Sequence, residues 1–172
     1  MRYALFLLLV CSSALAAGRP SEAEAQRILK AALTCEGNPI NALRDLTKNG
    51  SKAWASGYAG ADFGEELSYR DVLILKNPLK IAGASTSAVI GEVEQSNEGF
   101  AGVVYARFHG DYKMVVKALK LKKSGANGPL GDFTRALEFD LEGHKGEVCP
   151  NTITLTPKEG TEFLLGCGWC NG

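Results

Sequence analysis

The side chains best suited to chemistry in this sequence stand at its end, where FLLGCGWCNG sets Cys167 and Cys170 three positions apart. Such a pair exchanges disulfides when its first cysteine opens a helix, because the helix N-terminus and the second thiol favour the thiolate. Here an apolar, strand-like EFLLG precedes the pair and only Asn171 and Gly172 follow. That leaves no room for a helix, and no lysine or arginine lies within reach to replace its field. The spacing is therefore read as the end of a disulfide framework, with thiol–disulfide exchange by Cys167 and Cys170 as the alternative.

The framework has four members. Of the five cysteines, Cys11 sits in a leader (below), leaving Cys35, Cys149, Cys167 and Cys170. An even set in an exported chain points to bridges. The expected pairing joins Cys149 to one tail cysteine across a hairpin mouth and the other tail cysteine to Cys35. The rival pairs Cys35 with Cys149 and closes Cys167–Cys170 locally. A zinc site of His144, Cys149, Cys167 and Cys170 has the right donors, but His144 lies in the polar loop EGHKGE and exported thiols oxidise. No metal and no cofactor are expected.

The remaining polar groups form no reaction centre. His109 lies in a tight turn and His144 in a loop, with nothing to bring them together. Nucleophile-elbow, zinc-protease, P-loop and dinucleotide motifs are all missing. Glu65-Glu66 and the alternating Glu138, Asp140 and Glu142 read as solvated carboxylates. Lys113, Lys117, Lys120, Lys122 and Lys123 crowd one strand-like run, where they blunt a sheet edge or receive an acidic partner. The stretch SKAWASGYAGADFGEE fits no period and carries Trp54, Tyr58 and Phe63. An aromatic-bearing loop of this length makes a contact surface, or else plugs the core.

The chain opens with MRYALFLLLVCSSALAAG: one cation, a short apolar run and small residues. This is the pattern of a secretory signal peptide over residues 1–17, too short to span a bilayer, which takes about 20 residues. Residues 18–172 then form one exported domain. Losing Arg2 turns 19 cations against 19 anions into 18 against 19. A near-neutral surface argues against nucleic acid or an anionic membrane as partner, and no stable membrane anchor is expected.

Two helices come first. Ser21-Glu22-Ala23-Glu24 spells a capping box, and Ala25, Ile28, Leu29, Ala32 and Leu33 repeat at helical spacing as far as Gly37. Asn38-Pro39 restarts a helix carrying Ile40, Leu43 and Leu46, and Asn49-Gly50 stops it. Strand-like runs follow: DVLILK, LKIAG, SAVIGEVEQ, FAGVVYARF, KMVVKALKLK, TRALEFDL, NTITL and EFLLG. Breaks fall at Asn77-Pro78, Asn97–Gly99, His109–Asp111, SGANGPLGD and Pro157–Gly160. FGEELSYRDVLIL and LGDFTRALEFDL look faintly alike, too loosely to define a repeat.

The sequence thus predicts an α+β fold: an N-terminal helical hairpin followed by a mainly antiparallel sheet, a meander of about six to eight strands, stapled by disulfides. With no catalytic set, the expected function is an exported, soluble, non-enzymatic binding protein, inhibitor-, immunity- or adaptor-like. It would contact another protein through Trp54, Tyr58 and Phe63. A structural envelope component is the remaining alternative.

Overall fold

The computed structural model describes residues 20–36, 39–47, 57–64, 68–96, 99–125, 131–137 and 148–171. The leader, Trp54, His144 and the carboxylates Glu65, Glu66, Glu138, Asp140 and Glu142 lie outside these residues. The protein is built on one mainly antiparallel β-sheet with a disulfide between Cys35 and Cys167.

Helix α1 (Glu22–Leu33) starts as its residues dictate, the Ser21 hydroxyl accepting from the Glu24 amide at 3.3 Å. It buries Ala25, Leu29, Ala32 and Leu33. It ends at Leu33, short of Gly37: Cys35 takes the left-handed position at φ 56°, the Glu36 amide bonds the Ala31 carbonyl at 2.7 Å, and the Cys35 amide bonds that of Ala32 at 3.3 Å. That is a Schellman stop with cysteine where glycine is usual. Helix α2 (Pro39–Thr47) buries Leu43 and Leu46.

Eight strands follow: β1 (Tyr58–Gly64), β2 (Tyr69–Ile81), β3 (Ala84–Ser96), β4 (Gly99–His109), β5 (Lys122–Lys123), β6 (Phe133–Ala136), β7 (Val148–Pro157) and β8 (Glu162–Asn171). Their order is β1-β2-β3-β4-β8-β7-β6-β5, with every neighbouring pair antiparallel. Two four-stranded meanders therefore meet along a β4/β8 seam, each preceded by a helix. β2 and β6, which carry the faintly similar segments, hold corresponding places, third from the seam.

Three expectations are corrected. Asn77-Pro78 does not break the chain: β2 runs through it, and its register with β3 jumps between Ile74 and Leu79. Proline is tolerated there because β1 ends its pairing at Leu75 and the bulge asks no ladder bond of the missing N–H. The turn lies instead at Ala82-Gly83, both at positive φ. KMVVKALKLK is not a strand. Asp111 caps the Lys113 amide at 2.9 Å and Tyr112–Ala118 forms helix α3. Of its lysines only Lys122 and Lys123 stand on a strand, the edge strand β5. Lastly, the aperiodic segment contributes β1.

All three helices lie on one face of the sheet. The first two cover it from β1 to β8. The third reaches β6, where Tyr112 and Phe133 stand 5.9 Å apart and Arg135 donates to the Leu119 carbonyl at 2.8 Å. Beneath them lie the alternate residues Leu73, Val89, Val104, Phe108, Ile153, Leu155, Phe163 and Leu165. Phe108 and Phe163 are register partners with stacked rings 5.5 Å apart.

Candidate binding surface

Because side chains alternate along a strand, the residues between these core positions share the other face, and no described helix covers it. On β2 the alternation is plain: Tyr69, Asp71, Leu73 and Leu75 are buried, while Arg70 and Ile74 are exposed and Val72 is partly so. Register carries that face across the molecule. Phe63, Arg70, Glu92, Val103, Gly168 and Thr152 form one row over six strands. Val72, Ile90, Tyr105, Gly166 and Thr154 continue the adjacent row.

A broad depression of ≈ 1490 Å³ follows the first row, with all six of its residues in the lining. Its floor is low at the seam because Gly168 brings no side chain, and Gly166 repeats the gap in the adjacent row. A Cβ on Gly166 would stand 2.5 Å from the Val104 carbonyl oxygen, so the strand accepts only glycine there. Along one side the surface is organised by polar contacts. Arg70 Nε lies 2.6 Å from Glu92 Oε1, and the Tyr105 hydroxyl donates to the same oxygen at 3.0 Å. Burial pushes the Tyr105 phenol above its ordinary value; the hydrogen bond to anionic Glu92 adds to this and Arg70 opposes it.

Of the three aromatics singled out by sequence, Trp54 lies outside the described residues and the other two are separated. Phe63 is 57% exposed at the rim. Tyr58, in the same strand, is fully buried on the helix side, with its hydroxyl donating to the Pro20 carbonyl at 3.1 Å. Odd spacing within a strand forces that split. Sequence reasoning missed Arg70, Glu92, Val103 and Tyr105, which became legible only once the register was known.

The cysteines are distributed just as specifically. Cys35 and Cys167 are bonded, 132 residues apart, with both residues buried. Cys167, bonded to Cys35, is thus neither a zinc thiolate nor bridged to Cys170. Cys149 stands opposite Cys170 in the β7/β8 register. Among the described residues no group of three or more His, Cys, Asp or Glu could hold a metal ion. His109 lies 3.6 Å from Glu162 and is largely exposed.

Comparison with protein-family models, curated proteins and solved structures finds no match for the chain.

Proposed function

We propose that the chain is an exported, soluble, non-enzymatic binding protein, inhibitor-, immunity- or adaptor-like, that holds a folded partner protein on the uncovered face of its sheet. The observation that carries this reading is the face itself: one side of an eight-stranded sheet that no helix of the described residues covers, lined by Val72, Ile90, Val103 and Tyr105 and flanked by exposed Phe63 and Ile74. Seven strand spacings of about 4.8 Å by roughly 20 Å of strand length give on the order of 700 Å². That is close to the roughly 800 Å² per partner of a stable protein interface. The depression also exceeds the roughly 300–1,000 Å³ typical of small-molecule pockets. Aromatic and aliphatic groups around an organised Arg70–Glu92–Tyr105 set are the ingredients of an interface core.

Export is supported by the leader sequence and by the Cys35–Cys167 bridge, which oxidising compartments favour. No helix of the described residues is long and apolar enough to cross a membrane. On this reading the N-terminal helical hairpin of an α+β domain serves as the rigid back of the docking face.

A photo-crosslinking amino acid placed at Val72, Val103 or Thr154, and separately at Lys30 on the helix side, tests the proposal in cells that make the protein. Adducts from the three sheet positions, absent at Lys30 and abolished by Ile90→Arg, are expected. Adducts from Lys30 alone, or from no position, would overturn it.

A further inference from the structure

The lysines around α3 form a second feature that does not depend on the open face. From Tyr112 to Lys123 the chain carries five lysines and no aspartate or glutamate, although its charges balance at 19 each. None of the five is in an ion pair among the described residues. Lys113 and Lys117 stand at i and i+4 on one side of α3, and Lys120, in the turn that follows it at φ 54°, lines the same cleft. With Tyr112, Val116 and Phe133 they border a cleft of ≈ 350 Å³ between α3 and β6.

Edge protection accounts for Lys122 and Lys123 on β5, but not for lysines on a helix, which has no edge to protect. Cation stems bordering an aromatic floor complement a ligand with carboxylates around one apolar group. The volume, at the low end of the roughly 300–1,000 Å³ range of ligand pockets, admits one ring. A bilayer is the poorer fit, since interfacial binding needs a face of projecting apolar side chains: here Met114 projects, 56% exposed, but Tyr112, Val116 and Phe133 line a hollow. Nucleic acid is disfavoured by a chain without net positive charge.

We propose that this cleft binds an acidic protein segment, with one aromatic side chain packing onto the touching Tyr112 and Phe133 rings and its carboxylates meeting Lys113, Lys117 and Lys120. The probes are the capped peptides EEWEE, EEAEE and QQWQQ, titrated into the isotope-labelled exported chain and followed by amide shifts. EEWEE should move signals of α3 and β6, and should bind at least about ten-fold more tightly than either control. Raising salt from about 50 to about 300 mM should weaken it, as should Lys113→Gln/Lys117→Gln, a pair of exposed changes that leaves the fold intact. Equal binding of EEAEE or QQWQQ would overturn the proposal, as would an unaffected lysine variant or shifts confined to the open face around Val72 and Val103. Tighter capture by phosphatidylglycerol vesicles or by an oligothymidylate would overturn it in favour of those partners.

Discussion

Cys35 and Cys167 are joined so that the left-handed stop of the first helix is tied to a seam strand 132 residues later. The bridge closes nearly the whole domain and locks the helical layer onto the sheet. Long loops gain most in the chain-entropy account of disulfides. Cys35→Ala with Cys167→Ala should therefore cost about 2–4 kcal/mol, or roughly 4–16 °C in melting temperature, as read by calorimetry. The same residue carries an opposite local effect. Cysteine at φ 56° is conformationally unfavourable and is retained for its thiol. In the Cys167→Ala background, Cys35→Gly should be about 1 kcal/mol more stable than Cys35→Ala. Equal stabilities would remove the backbone argument.

Cys149 is the β7 partner of Cys170, and directly opposed residues in an antiparallel pair lie about 4.5–5.5 Å apart, the separation a bridge needs. We propose a second disulfide there. A non-reducing peptide map of the exported chain should show Cys35–Cys167 and Cys149–Cys170 with no free thiol. A Cys167–Cys170 bridge would restore the redox alternative, and free thiols at Cys149 and Cys170 would sink the second staple.

Tyr58 and Phe63 should respond differently to the same substitution. Tyr58→Ala empties a fully buried site and breaks the bond to Pro20, so a loss of about 3 kcal/mol or more is expected. Phe63→Ala removes a ring that is 57% exposed and should change stability by less than about 0.5 kcal/mol. Urea unfolding of both variants decides the matter, and a large loss at Phe63 would make it a structural residue and not a contact.

Ala82 marks a place where local chemistry and the fold disagree. Ile81 pairs with Ala84, so Ala82-Gly83 is a two-residue hairpin turn with φ of 48° and 87°. Asn-Gly is the favoured pair for such a turn. Ala82→Asn should stabilise the protein by about 0.5–1 kcal/mol, seen as a higher denaturation midpoint with an unchanged slope.

That turn also shows what the sequence could and could not reveal. Ser21 at the α1 cap, the Leu29/Leu33 stripe and the β7/β8 hairpin around Pro157–Gly160 follow from local rules and were legible. Ala82-Gly83 is a weak turn signal beside Asn77-Pro78, so the stronger dipeptide drew the break, although a bulge absorbs it. Around α3 the apolar residues Val115, Val116 and Leu119 fit either period over so short a stretch, and the Asp111 cap was the overlooked clue. The insertion of β8 between β4 and β7 is a long-range pairing that no window of sequence contains. The row from Phe63 to Thr152 depends on that pairing, and so the face it crosses stayed hidden while Phe63 itself was visible.

The Tyr105–Glu92 contact gives the open face a pH signature. Burial first, then the hydrogen bond to Glu92, raise the Tyr105 phenol above its ordinary value. A group whose pKa is higher in the folded than in the unfolded chain binds its proton more tightly when folded. Its stabilisation is complete below the unfolded phenol pKa of about 10 and disappears as pH rises through the folded value. An ultraviolet phenolate titration should therefore show a tyrosine ionising above the ordinary range, and Tyr105→Phe should delete that component. Glu92→Gln takes away the anion and should move the component back down, leaving only the part due to burial. If instead Glu92→Gln leaves the titration untouched, the Arg70–Glu92–Tyr105 set is not formed in solution and the polar side of the depression is not preorganised for a partner.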